Sequence, residues 1–136
     1  MKLHQIGYRA SQKKIPIVPG FITRLIRLLY SFDFPSTTKV GKGTVFRHNG
    51  LGCVLHHNAV IGKDCNIYQN VSIAGRDGRG VPVLGDGVEV GCGACILGGV
   101  VIGNNARIGA NAVVITDVPE NATAVGIPAK IVKTPN

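Results

Sequence analysis

The sequence predicts an all-β solenoid, a parallel β-helix of about four triangular coils preceded by a short helix. Three observations carry this. An aliphatic residue recurs every six positions between Val40 and Pro119, a small or β-branched residue follows it four positions later, and two interruptions break a ladder that then resumes. Neither the 3.6 period of a helix nor the alternation of a strand gives a strict six, so the pattern marks a repeat architecture. Each hexad is a short strand plus a corner, and three hexads close one coil with the aliphatic residues stacked inside.

The first element is a basic segment, residues 1–35. Residues 1–32 hold Lys2, Arg9, Lys13, Lys14, Arg24 and Arg27 and no acid, six of the fifteen basic residues in the chain. His4 is expected in a mobile tail. Gly20 to Phe32 reads as an amphipathic helix, with Phe21, Ile22, Leu25, Ile26, Leu28, Leu29 and Phe32 on a broad apolar face. Such a helix can lie on a membrane surface, but the open first coil of a solenoid needs an apolar cover. Covering the coil is the favoured role. Basic residues without interleaved stacking aromatics argue against nucleic-acid binding.

The repeat region spans residues 36–119. Its starters are Val40 and Phe46, then Leu55, Ile61, Ile67 and Ile73, then Leu84, Val90, Ile96, Ile102, Ile108 and Val114. The small positions include Ala59, Cys65, Val71, Ala94, Ala106 and Ala112, and fail only at Asp77. Gly follows the starter at 41, 62, 85, 91, 103 and 109, as expected where the backbone turns tightly. Residues 120–136 form a C-terminal tail.

The interruptions are where function is expected. The step from Phe46 to Leu55 exceeds one hexad by three residues, and that from Ile73 to Leu84 by five. Both must bulge outward. The second, 74–83, has the Gly, Pro and charge content of a surface loop on a rigid scaffold.

Composition fits a single domain of 136 residues, 45% hydrophobic, with 5% aromatics and no Trp. No apolar run approaches twenty residues and no signal-peptide pattern is present, so a soluble cytoplasmic protein is expected. Four cysteines suit a reducing compartment. Cys92 and Cys95 have zinc-ligand spacing but lack partners for four ligands, so no metal is expected.

Among the histidines, His56 and His57 are adjacent in one hexad and are expected to point apart. His48 stands at the lip of the first bulge. Counting faces through both bulges puts Phe46, Ile67, Val90 and Ile108 on one side, so that His48, Gln69, Cys92 and Ala110 form a column. At a coil spacing of about 4.8 Å that column is about 14 Å long, the edge of a groove for a long, thin ligand.

Val40 to Lys133 resembles the hexapeptide-repeat acyltransferases, which have a left-handed β-helix. His48 to Gly52 (HNGLG), Asn58 to Gly62 (NAVIG), Asn70 to Ile73 (NVSI), Ile96 to Gly98 (ILG) and the closing Ala124 to Lys133 are most similar to the serine acetyltransferase branch. The resemblance implies acetyl transfer from acetyl-CoA, as co-substrate, to a hydroxyl of a small acceptor, in a homotrimer with active sites between subunits. By that resemblance His48 is the general base, with Arg47 and Asn49 beside it facing the acceptor. Cys92, Ala110, Ile115 and Thr116 match positions along the pantetheine arm, Gly75 a glycine near the thiol end, and Lys130 and Lys133 basic places near the adenine and phosphates.

The departures concern the acceptor. The family carries an acid where this chain has Arg47, and a second histidine where it has Val81. Its long helical N-terminal domain corresponds here to one predicted helix. Arg47, Arg76 and Arg79 suit an anionic acceptor, so a sugar O- or N-acetyltransferase of surface polysaccharide synthesis is the alternative. A metal hydratase on the same prism would need three converging histidines, which His48, His56 and His57 do not resemble in spacing. A non-catalytic scaffold is the remaining class.

Overall fold

Hydrogen bonding between successive coils organises the molecule. The computed structural model describes residues 2–134. Two helices, α1 (Lys2–Gln12) and α2 (Val18–Tyr30), precede twelve short strands: β1 (Lys39–Val40), β2 (Val45–Phe46), β3 (Val54–Leu55), β4 (Val60–Ile61), β5 (Asn66–Ile67), β6 (Ser72–Ala74), β7 (Val83–Leu84), β8 (Glu89–Val90), β9 (Cys95–Leu97), β10 (Val101–Ile102), β11 (Arg107–Ile108) and β12 (Val113–Val114). A terminal hairpin, β13 (Thr123–Gly126) and β14 (Ala129–Lys133), follows.

The twelve strands stack into three parallel sheets: sheet I in the order β1-β4-β7-β10, sheet II as β2-β5-β8-β11, continued by β13 and the antiparallel β14, and sheet III as β3-β6-β9-β12. The result is the parallel solenoid of about four coils that the hexads predict. Face counting through both bulges holds, because Phe46 pairs with Ile67, Ile67 with Val90 and Val90 with Ile108 in sheet II. Every starter from Phe46 onward is buried, and Ile67, Ile73, Ile96 and Ile102 are wholly so. Each such side chain contributes about 1.5–3 kcal/mol by leaving water. Cys53 and Cys65 are buried too, and desolvation pushes both thiols up in pKa.

The glycines after the starters act differently from expectation. Their φ values are not positive, so no special turn requires them. Instead the next coil lies in the way: a Cβ on Gly41 would stand 2.5 Å from the Gly62 carbonyl carbon, and one on Gly103 would stand 2.3 Å from the Glu120 nitrogen. Positive φ falls two positions further on. At the corners from sheet I to II and from II to III it is taken by Gly43, Asp64, Gly87, Asn105 and Asn121, and by Asn49, Asn70, Gly93 and Asn111. These are the residue types that tolerate the left-handed region. The corner from sheet III to I has no such turn at that position, and there the loop 74–83 leaves the prism.

The first coil is closed by an aromatic plug. The rings of Phe32 and Phe34 lie 4.7 Å apart, both within about 5 Å of Phe46, and His4 stacks on Phe34 at 3.6 Å. His4 is therefore part of a helix and 6% exposed, not in a mobile tail. The helix expected to run to Phe32 ends at Tyr30, where Ser31 adopts a left-handed cap whose N–H donates to the Arg27 carbonyl at 3.0 Å. That reversal carries Phe32 into the plug. Ile22 and Ile26 of α2 join the core as the cover the first coil needs. Ser36 Oγ donates to the Pro19 carbonyl at 2.9 Å and lies 2.9 Å from Thr23 Oγ1, fastening α2 to the prism. At the other end, Ala122 and Ala124 cover the last coil, and β14 folds back antiparallel on β13.

Burial lowers the His4 pKa from 6.5 to about 4, and its Nε2 has no hydrogen-bond partner among the described residues. The unfolded chain takes up this proton near pH 6.5, whereas folded His4 resists it until about pH 4. Its contribution is thus complete above pH 6.5 and lost as the pH falls toward 4, a change on the order of 3 kcal/mol. Urea denaturation across that window is expected to show a steeper loss of stability in wild type than in His4→Phe.

Candidate active site

Phe46 ends its strand extended, and Arg47–Gly50 then form a tight turn. His48 (φ 51°, ψ 36°) and Asn49 (φ 57°, ψ 24°) are both left-handed, so the bulge swings the imidazole out as an exposed side chain. The turn is closed by the Leu51 N–H donating to the His48 carbonyl at 3.2 Å. Beneath it, Gly50 lies against the plug: a Cβ there would stand 2.2 Å from two carbons of the Phe32 ring. The histidine's turn therefore rests on the cap of the prism.

The next coils place Gln69, Cys92 and Ala110 at the same corner, between sheets II and III. Gln69 Oε1 is buried without a partner among the described residues, while Cys92 is half-buried and Ala110 exposed. Arg47 donates from Nη2 to Asn66 Oδ1 at 2.6 Å, which ties it to the second coil. Asn49 is exposed beside the histidine.

The other site residues lie elsewhere on the chain. Gly75 follows β6 at the corner between sheets III and I, and Ile115 and Thr116 follow β12 at that same corner. Ile115, Thr116 and Lys130 line a cleft of about 220 Å³ with Val118 and Pro128. Lys133 is exposed at the end of β14. Lys130 and Lys133 lie on β14 along the end of sheet II; the other candidate residues divide between two corners, separated by one side of the prism, on the order of 15 Å at about 3.3 Å per residue.

The second bulge is a built loop. Arg79 N–H donates to the Arg76 carbonyl at 2.7 Å across Asp77 and Gly78, both at positive φ, the backbone of a type I′ turn for which Asp-Gly is suited. This explains why the hexad pattern fails at Asp77. Gly99 N–H donates to the Arg79 carbonyl at 2.7 Å, and Gly98 N–H to the Ala74 carbonyl at 2.9 Å. Arg76 and Arg79 leave the backbone side by side, their Cβ atoms 3.5 and 4.0 Å from where a Gly98 side chain would begin. Arg76 also meets Asp77 at 3.6 Å.

Beside the loop, His56 and Gly75 line an open groove of about 520 Å³. The rings of His56 and His57 do not point apart; they stack at 4.2 Å. His56 Nδ1 accepts the Asn58 N–H at 3.1 Å. Sequence alternation alone misses this pair, because the corner bends the backbone between the two residues. Among the described residues, no three His, Cys, Asp or Glu side chains are grouped so as to hold a metal ion.

The stacked hexads carry the hexapeptide repeat, and residues 82–116 match the family model for the bacterial transferase hexapeptide (six repeats). The chain is 37% identical to a serine acetyltransferase of Synechococcus elongatus over 132 residues, covering 95% of this chain and 54% of that protein. It is 33% identical to a serine acetyltransferase of Helicobacter pylori strain J99 over 132 residues, covering 95% and 77%. A solved serine acetyltransferase in complex with CoA superposes with a TM-score of 0.89 at 35% identity, over 96% of this chain and 54% of that one. The chain belongs to the serine acetyltransferase family. It spans about half the length of the Synechococcus relative and of the solved enzyme.

The Gly50 contact can be tested by stability. Gly50→Ala combines a left-handed non-glycine residue with overlap on Phe32, and is expected to cost about 2–4 kcal/mol in chemical denaturation. Asn49→Gly, in a turn that already suits glycine, is expected to stay within about 0.5 kcal/mol of wild type.

Proposed function

We propose that this protein transfers the acetyl group of acetyl-CoA to a hydroxyl of a small acceptor, as a serine O-acetyltransferase-like enzyme with His48 as general base. The observation that carries this is the position of His48, exposed on its own turn at the foot of the column Gln69, Cys92 and Ala110, in a chain of the serine acetyltransferase family. A neutral acceptor hydroxyl is a poor nucleophile near pH 7. The imidazole removes its proton as the oxygen attacks the thioester carbonyl. Backbone N–H groups hold the resulting oxyanion, and collapse releases the CoA sulfur, which takes the proton back from the imidazolium. No covalent enzyme intermediate is needed.

In this reading Cys92, Ala110, Ile115 and Thr116 flank the pantetheine arm, Gly75 lies near its thiol end, and Lys130 and Lys133 meet the phosphates, which attract cations. The separation of His48 from Gly75 gives the assembly its reason. A homotrimer sets the His48 corner of one prism against the Gly75 corner of the next, so the groove gains both walls. Arg47 and Asn49 face the acceptor, and the setting is cytoplasmic.

A second reading, acetylation of an anionic sugar, is favoured by the arginine pair. Arg76 and Arg79 stand together on a turn anchored to Gly98 and Gly99, and the place of the family's second histidine is taken by Val81. Two guanidinium groups on a fixed turn suit a carboxylate or phosphate.

Thiol release from acetyl-CoA, followed with a panel of amino acids and sugars, tests the activity. His48→Ala is expected to lower kcat by about 100-fold or more while CoA binding persists; full activity in this variant would refute the base assignment. Arg76→Gln and Arg79→Gln are each expected to raise KM for a uronic acid or nucleotide-linked sugar about three- to tenfold. A preference of the wild type for free serine over these acceptors would remove the second reading.

A further inference from the structure

Three of the four phenylalanines make or touch the plug; the fourth, Phe21, is 62% exposed on α2. Leu28 is 81% exposed on the same helix, and Ile17, just before it, 85%. At 100° per residue Phe21, Leu25 and Leu28 form one stripe, turned well away from Ile22 and Ile26, which face the core. Arg24 and Arg27 are exposed along the side of that stripe away from the prism. The clamp of Ser36 on Pro19 and Thr23 fixes the helix in this orientation, so the stripe cannot turn inward. α2 therefore covers the first coil and still presents a second apolar face.

The charge around that face selects its occupant. Residues 1–32 hold six basic residues and no acid. Two copies meeting through this face would oppose the same cations with no carboxylate from either segment to compensate them. An anionic lipid surface offers what the face lacks: phosphates for the arginines and acyl chains for the apolar stripe. Among the described residues no helix is long and apolar enough to cross a membrane, and α2 has the form of a helix that lies in the interface.

We propose that α2 docks this protein onto anionic lipid surfaces, with Phe21 and Leu28 at the boundary of headgroups and acyl chains and Arg24 and Arg27 on lipid phosphates. The test is co-sedimentation of the full chain with extruded vesicles, of phosphatidylcholine alone or of phosphatidylcholine mixed with phosphatidylglycerol. The protein is expected to pellet with the mixed vesicles at low salt, to remain in solution with phosphatidylcholine, and to be released as salt is raised. Phe21→Gln combined with Leu28→Gln is expected to lower partitioning at least about tenfold with Tm unchanged. Should that variant be unstable, Arg24→Gln with Arg27→Gln carries the same expectation.

Failure of the wild type to pellet with the mixed vesicles, or equal pelleting with both kinds, would overturn the proposal. So would unchanged partitioning in the variants. A concentration-dependent association in sedimentation velocity that the Phe21 and Leu28 substitutions abolish would assign the face to a second copy instead.

Discussion

Everything in this molecule depends on how closely one coil lies upon the next. Parallel hydrogen bonds set the spacing at about 4.8 Å, and at the corners the two backbones approach until no Cβ fits between them. Gly41 under Gly62 and Gly62 under Gly85 are consequences of that contact. The same closeness aligns Phe46, Ile67, Val90 and Ile108 in one buried column and holds the second residue after each starter in register outside. The groove and the core are thus two sides of one stacking rule.

Because the rule is periodic, the sequence reveals it almost completely. Starters, small positions, the three faces and the return of the chain after each bulge could all be counted. What could not be counted depends on contacts between parts that do not repeat. His4 lies in a polar stretch whose burial depends on Phe34, thirty positions away. Phe32 looked like the last residue of a helix because nothing local announced the left-handed turn at Ser31. The glycine positions were visible, but their cause was not, since it belongs to the next coil.

The candidate site shows the same division. His48 was legible because a bulge interrupts a strict period beside it, and its column followed from the register. The stacking of His56 on His57 and the pairing of Arg76 with Arg79 were not, because both depend on corner geometry. These features gather at the corner between sheets III and I, where the left-handed turn found at the other two corners is missing. The loop 74–83 leaves the prism there.

The terminal hairpin has a consequence for the solution behaviour of any such stack. A parallel solenoid ends in strands whose backbone groups can receive another coil, and a head-to-tail contact that does not close produces filaments. Here the chain reverses after Gly126, and β14 presents the opposite strand direction on sheet II, while the Phe32, Phe34 and Phe46 rings occupy the opposite end. Neither end offers the pattern that the other would have to continue. Sheet II therefore cannot be continued in the same parallel sense by another molecule at the hairpin end.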